Sequence, residues 1–233
     1  MTSYSYIGSE LDIFRHASNW KAYYGRLIRK HIGQEVLEVG AGIGATTAAL
    51  CREDITRWVC LEPDPNLASK IEYLIENGEL PKYCELRPGT LNDIVDSFDT
   101  VLYIDVLEHI KDDAAELVLA AAHLRTGGSL VVLAPAHQRL FTSFDAQIGH
   151  HRRYDRCSLS AIIPQNLECR CLYYLDSVGA IASLGNRYLL GQSMPTTEQI
   201  AFWDKVMIPL SRMVDPLLGF FIGKTIVGIW QKT

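Results

Sequence analysis

Apolar positions along this chain alternate between two rhythms. Residues 10–31 carry Phe14, Ala17, Tyr24, Leu27 and Ile28 as a helical stripe ahead of a first strand at Glu35 to Val39. After a glycine-rich turn come a small, apolar helix "ATTAALC", a short apolar run "TRWVCLEP", a helix "NLASKIEYLIENG" stopped at Gly78, and a third strand "KYCELRPG". "FDTVLYID" reads as a fourth strand. "KDDAAELVLAAAHLRTGG" reads as a helix with acidic residues in its first turn and a Gly-Gly stop, and "SLVVLAPA" as a fifth strand. Nearly uninterrupted apolar strands separated by helices predict a doubly wound α/β fold, a mostly parallel sheet with helices on both faces.

After Pro135 the rhythm breaks. "HQRLFTSFDAQIGHHRRYDRCSLSAIIPQN" is a polar connection followed by a short helix capped near Ser158, and "LECRCLYYLD" returns to strand. An aromatic and apolar stretch then runs from Ser177 to Gly223, and "KTIVGIWQK" alternates to the end of the chain. The expected organisation is a single domain, 1–233, whose sheet has seven strands with an antiparallel last one. Within it, 10–31 form an amino-terminal helix, 35–136 a cofactor-binding core, 137–223 a substrate-side loop and helical lid, and 224–233 the last strand.

Composition narrows the function. With 48% hydrophobic residues the 233-residue chain can bury one large core. A formal charge of -5 leaves no footprint for a nucleic-acid backbone beyond a local Arg152-Arg153 patch. Six scattered cysteines without a C-x-x-C pair suggest reduced, mostly buried thiols in a cytoplasmic protein; no metal site is expected. Cys169 and Cys171 should share one strand face. No secretory signal is visible, and Arg212, Asp215 and Lys224 interrupt the apolar carboxyl-terminal stretch too often for a membrane span. Tyr188, Phe202, Trp203, Met207, Met213, Phe220 and Phe221 in that stretch suit the core or a homodimer contact, an apolar acceptor pocket, or a lid touching a membrane peripherally.

Chemistry concentrates in "EVLEVGAGIGATTAAL". Gly40-Ala41-Gly42-Ile43-Gly44-Ala45 satisfies G-x-G-x-x-A, and Glu62 closes the second strand twenty-two positions after Gly40, placed to accept both ribose hydroxyls of an adenosine ligand. NAD and S-adenosylmethionine both contain adenosine. Glu38, a carboxylate inside an apolar strand, favours a ligand carrying an ammonium, since an unpaired buried charge is costly. Strand four runs into "YIDVLEHIKDD", which sets Asp105, Val106 and His109 at the carboxyl end of the sheet, where such folds bind ligands.

"VLEVGAGIG", "CLEPDP", "LRPGTLNDI" and "YIDVLEHI" resemble, in order and spacing, the motifs of class I S-adenosylmethionine-dependent methyltransferases over residues 35–136. "FDAQIGHHRRYD" also resembles a G-H-x-R-R-Y connection of one bacterial branch, often of unassigned substrate. The resemblance implies a Rossmann-like methyltransferase fold and S-adenosylmethionine as cofactor, with S-adenosylhomocysteine as product. It implies that Gly40, Ala41 and Gly42 line the methionine portion with Glu38 beneath, that Glu62 binds ribose, and that Pro63 and Asp64 flank the adenine. Gly89, Thr90 and Leu91 stand where many members place an acidic residue for the adenine amine. Thr90 replaces that acid, which leaves adenine recognition to backbone groups or to Asn92 and Asp93. Asp105 and Val106 would face the methyl-donating end, and Trp20 or Tyr24 would close it.

For the acceptor, His109 and His150 are candidate bases, with His151 beside them, since histidine titrates near neutral pH. Arg153 and Tyr154 complete the catalytic candidates; with Arg152 they would either bind an anionic substrate or pin the loop through Asp145. The reading is a methyltransferase acting on a small-molecule or glycan/lipid-precursor acceptor at oxygen or nitrogen. Its rivals are an NAD(P)-dependent oxidoreductase, for which no catalytic Tyr-x-x-x-Lys is recognisable, and a catalytically silent binding module. A nucleic-acid methyltransferase would carry an Asn/Asp-Pro-Pro-Tyr-like string where "DVLE" stands.

Overall fold

Why apolar runs only five to seven residues long suffice becomes clear from the sheet they build. The computed structural model describes residues 10–189 and 196–233. Two helices, α1 (Glu10–Phe14) and α2 (Ser18–Ile28), precede β1 (Glu35–Val39). Then follow α3 (Ala45–Leu50), β2 (Arg57–Glu62), α4 (Pro65–Glu76), β3 (Cys84–Pro88), β4 (Phe98–Ile104), α5 (Asp113–Ala122) and β5 (Leu124–Pro135). The remainder comprises α6 (Ser143–Gln147), α7 (Arg156–Ala161), β6 (Leu167–Leu175), α8 (Ser177–Leu189), α9 (Thr197–Phe202), α10 (Ile208–Leu217) and β7 (Thr225–Lys232). A π-helical turn, Trp203–Met207, joins α9 to α10.

The strands form one seven-stranded sheet in the order β3-β2-β1-β4-β5-β7-β6. β1 to β5 are parallel, and β7 runs antiparallel between β5 and β6. Each central strand is buried on both faces. Val36, Trp58, Leu102 and Val131 pack with α2 and α3 on one side, while Leu37, Val59, Val101 and Val132 pack with α5 and α7 on the other.

Four expectations are corrected. The helix expected over 10–31 is two, broken after Phe14. "LRTGG" belongs to β5, not to the helix before it: the β4–β5 register shifts between Phe98 and Thr100, and a Cβ on Gly128 would lie 2.9 Å from the Arg125 carbonyl and 3.0 Å from that of Asp99. The glycine pair thus permits a close backbone approach at a bulge. A second register shift between Cys169 and Cys171 breaks the expected alternation, leaving Cys169 exposed and Cys171 partly buried against the core. Only Cys60 and Cys84 are fully buried, fewer than expected.

Three buried carboxylates tie the carboxyl-terminal helices down. Asp215 accepts from Tyr23 Oη at 2.9 Å and from the Asp176 and Ser177 amides at 2.8 and 3.0 Å, which joins α10 to α2 and to the start of α8. Asp176 accepts from Trp203 Nε1 and Ser211 Oγ, both at 2.7 Å, and from the Gly179 amide at 2.9 Å. Asp204 accepts from the Trp20 and Asn19 amides at the start of α2. Opposite these pins, Phe202, Val206, Leu210, Met213 and Leu217 form an exposed apolar stripe at helical spacing, with Phe221 beyond it. The Tyr188 side chain lies outside the described residues. No helix among the described residues is long and apolar enough to cross a membrane.

Candidate functional site

A cavity of about 1300 Å³ opens beyond the carboxyl ends of β1 and β4. The glycine turn, the first turns after β4, the loop through Phe144 and His150, and side chains of α1, α2 and α9 enclose it. This is the crevice where doubly wound sheets bind ligands.

The glycine turn is shaped by close packing. Gly40, at φ 65°, would place a Cβ 2.8 Å from both Val106 γ-carbons, so the turns after β1 and β4 meet there only because position 40 lacks a side chain. Gly40, Ala41 and Gly42 line the cavity, and the Gly40 and Ala41 amides return to the Leu61 carbonyl. Val106 does not line it; it is the residue on which Gly40 rests.

Glu38 lies beneath, 2% exposed, and its Oε2 accepts from Thr47 Oγ1 at 2.6 Å and Trp58 Nε1 at 2.8 Å. Burial raises its pKa to about 7 against those two hydrogen bonds. The carboxylate expected to answer a ligand ammonium is thus paired by the chain's own donors, and Glu38 does not reach the cavity wall. Glu62 is likewise engaged by the chain: Oε2 accepts from the Gly42 amide at 2.7 Å and Oε1 from the Asp64 amide at 2.9 Å. Burial nonetheless pushes its pKa up.

The residues expected around adenine gather outside the cavity lining, at the ends of β2 and β3. The Gly89 amide donates to the Glu62 carbonyl at 3.1 Å, with Gly89 at φ 137°. Pro63 leads into Asp64, which caps α4 by accepting from the Asn66 and Leu67 amides. Thr90 caps the short turn Leu91–Asp93; Asp93 Oδ2 takes the Thr90 amide and hydroxyl, and Leu91 is in the core.

At the aromatic wall, Trp20 and Tyr24 pack edge to face at 5.4 Å, and Trp203 lies 5.7 Å from Trp20. All three line the cavity, with Lys21 between them donating to the Phe14 carbonyl at 2.8 Å. Burial lowers the Lys21 pKa, while Asp204 and Asp105 oppose that shift.

Beyond β4 the chain places acids and imidazoles together. Asp105 adopts φ 54°, a left-handed conformation that short polar side chains tolerate best. It stands within the cavity, enclosed by protein although open to the space inside; enclosure raises its pKa to about 6, while His150, Lys21 and Lys224 act against that shift. Glu108 also lines the cavity. It is wholly buried and neither carboxylate oxygen accepts a hydrogen bond, so burial, with Asp105 nearby, drives its pKa well up. His109 and His150 meet edge to face at 4.6 Å. Burial, then its histidine neighbours, lowers the His109 pKa to about 3; the ring is neutral at physiological pH and poorly matched to general-base work.

The expected catalytic quartet divides. His150 lines the cavity, its Nδ1 held 2.9 Å from Asp145 Oδ1 and its Nε2 3.7 Å from Glu108 Oε1. Arg153 also lines it, but its guanidinium is committed bidentately to Asp145, through Nε at 2.8 Å and Nη2 at 3.0 Å. Despite its burial, hydrogen bonds from His150 and Arg153 hold Asp145 well below the carboxylate range. Tyr154 is a correction: buried outside the cavity, it donates to Asp113 Oδ2 at 2.7 Å and is bound to α5 rather than to any ligand. Arg152 reaches the same carboxylate and the Lys111 carbonyl, so the arginine pair pins the loop instead of presenting an anion site.

Sequence reasoning passed over Glu108, Lys21, Thr46 and the Phe141–Phe144 wall. Glu108 had a signal: a carboxylate flanked by Val106, Leu107 and Ile110 repeats the anomaly that singled out Glu38. The wall residues belong to a connection with no periodicity to read.

Residues 37–130 match the family model described as a methyltransferase domain. The chain is 32% identical over 113 residues to the ubiquinone biosynthesis O-methyltransferase of Paramagnetospirillum magneticum, covering 47% of this chain and 45% of that one. It is 29% identical over 140 residues to the demethylmenaquinone methyltransferase of Tropheryma whipplei, covering 56% and 54%. The chain thus spans about half the length of the curated relatives it matches. Coclaurine N-methyltransferase, solved with N-methylheliamine and SAH, shares the fold at TM-score 0.63 and 14% identity, covering 93% of this chain and 72% of that one. Strand order, glycine turn and matched residues agree: residues 37–130 match a methyltransferase domain, set within a fold that the chain shares with a solved methyltransferase.

Proposed function

We propose that this protein transfers a methyl group from S-adenosylmethionine to oxygen or nitrogen of a small-molecule or glycan/lipid-precursor acceptor. One observation carries the reading. The glycine turn and the Asp105 turn, in contact through Gly40 and Val106, form one end of a cavity whose other walls combine aromatic and apolar side chains with the Glu108, His109 and His150 cluster. The residues fit the cofactor: Gly40 to Gly42 leave backbone room for the methionine portion, and Asp105 offers a carboxylate to a cationic ligand. Trp20 and Tyr24 add aromatic faces suited to a positive centre. Glu62, with each oxygen holding one amide, retains lone pairs for the ribose hydroxyls. On the adenine side, Pro63, Asp64, Gly89 and the Thr90–Leu91 turn would supply backbone groups.

Bound there, S-adenosylmethionine supplies a methyl already activated by the sulfonium. What remains for the chain is to hold the acceptor in line and exclude water, an effect worth about 7–11 kcal/mol in favourable cases. His150 serves the acceptor side, its Nδ1 fixed by Asp145 and its Nε2 turned toward Glu108. The relatives named above include O- and N-methyltransferases, which supports both acceptor atoms equally. The exposed stripe from Phe202 to Leu217 supports peripheral contact with a membrane holding a lipid-linked acceptor.

Calorimetry with S-adenosylmethionine, S-adenosylhomocysteine and NAD tests the reading. Micromolar binding of both sulfur compounds is expected; micromolar NAD binding without response to either overturns it. Glu62→Ala should weaken cofactor binding at least about tenfold, about 1.4 kcal/mol.

A further inference from the structure

The cavity contains a group of side chains that methyl transfer from a sulfonium does not itself require. Glu108, His109 and His150 each offer one donor atom, and these atoms lie within 4.8 Å of one another. Glu108 is 0% exposed, faces the cavity, and has no hydrogen-bond partner on either oxygen. Its own backbone N–H and His150 Nε2, 3.7 Å from Oε1, lie near it but outside hydrogen-bonding geometry. A buried carboxylate without donors is a costly arrangement unless something absent from the chain completes it.

The imidazoles are oriented in a telling way. His150 Nδ1 is tied to the Asp145 carboxylate, which leaves Nε2 as the atom facing Glu108 at 3.7 Å. His109 is hydrogen-bonded to the Gly149 backbone, and a Cβ placed on that glycine would lie 3.7 Å from its Nδ1. Histidines that ligate metals are held in this manner, one nitrogen on a carboxylate or backbone carbonyl and the other on the ion. Asp145 is held in turn by Arg153 and Thr142, so the support behind His150 is itself braced.

We propose that Glu108, His109 and His150 form a binding site for one divalent first-row metal ion, with Asp105 as a further carboxylate beside it. Two imidazoles and a carboxylate favour Zn²⁺, Fe²⁺ or Mn²⁺ over Ca²⁺. Ligand atoms about 2.1 Å from an ion stand about 3–3.5 Å apart, so donors now up to 4.8 Å apart need to draw together by about 1.3–1.8 Å at the widest pair. The ion's remaining positions face the cavity. There they take oxygen donors of the acceptor, such as a hydroxyl or phenol, which assigns the acceptor's anchoring end to this wall. That last step rests on the methyltransferase reading; the metal site does not.

The test uses the full chain stripped with EDTA, and reads Mn²⁺ binding by electron paramagnetic resonance and Co²⁺ by its visible spectrum. Wild type should bind one ion, with Co²⁺ bands of nitrogen and oxygen ligation and no thiolate charge transfer. Glu108→Gln and His150→Ala should each weaken Mn²⁺ at least tenfold, with melting temperature and S-adenosylhomocysteine affinity verifying an intact fold. Absence of stoichiometric binding to wild type, equal binding to both variants, or thiolate bands overturns the site. Because S-adenosylhomocysteine affinity is measured separately, loss of the metal site and loss of the methyltransferase reading give different results.

Discussion

At the glycine end of the cavity, Glu38, Glu62 and Asp64 each receive two donors from the chain itself, whereas Glu108 at the acceptor end receives none. All four carboxylates are buried to a few per cent exposure or less. What differs is the source of compensation. Glu38, Glu62 and Asp64 brace a turn whose shape must exist before a ligand arrives, and satisfied carboxylates make such a turn stiff. The acceptor end keeps the braced pair Asp145–Arg153 behind its first layer and leaves Glu108 and the histidine edges turned inward. Preorganisation is thus built in full at one end and only one layer deep at the other.

Substitutions can break this comparison, and the largest effect falls on the brace. Asp145→Ala strands the Arg153 guanidinium and His150 Nδ1 at a buried point, and should cost about 3–5 kcal/mol in urea unfolding. A loss below 1 kcal/mol would show the acceptor loop to be held by other contacts. Next comes Glu38. Its folded pKa, raised by burial from 4.5 to about 7, means that the folded state binds the proton more tightly than the unfolded chain. Stability from this group is full below pH 4.5 and falls as pH rises toward 7, by about 3 kcal/mol. Glu38→Gln keeps an acceptor for Thr47 and Trp58 and should flatten that slope; a slope shared by wild type and variant would place the titration elsewhere.

Glu108→Met inverts the sign. Removing an unpartnered buried carboxyl should stabilise the metal-free protein by about 1–3 kcal/mol in the same assay, while activity is lost. Destabilisation would mean that Glu108 has a compensating partner after all, and the contrast between the two ends would fail. The smallest effect is expected at Tyr154→Phe. It removes one hydrogen bond to Asp113, for about 1.5 kcal/mol, and should leave kcat and KM unchanged, because the hydroxyl faces α5 rather than the cavity.

The glycine end was the more legible in sequence for a physical reason. Its geometry is local: Gly40 to Gly44, Glu38 and Glu62 lie on adjacent strand ends, and period and spacing carry that information. The strands were legible because parallel strands buried on both faces are continuous apolar runs. Where a glycine serves close approach instead of termination, as at Gly128, the helix appeared too long and the strand too short. The acceptor end depends on pairings such as Tyr154 with Asp113 and Arg153 with Asp145, which join an aperiodic loop to helices. No window of sequence distinguishes an arginine that anchors a loop from one that grips a substrate; only its partner does.

The contact between Gly40 and Val106 also governs how this chain can change. A methyl group at position 40 and the isopropyl group at position 106 claim the same volume, so the two positions behave as one variable. A library that diversifies the glycine turn alone will return mostly unfolded clones, however conservative each replacement. Pairing it with alanine or glycine at position 106, and with residues tolerant of a left-handed backbone at position 40, opens routes that neither position offers by itself.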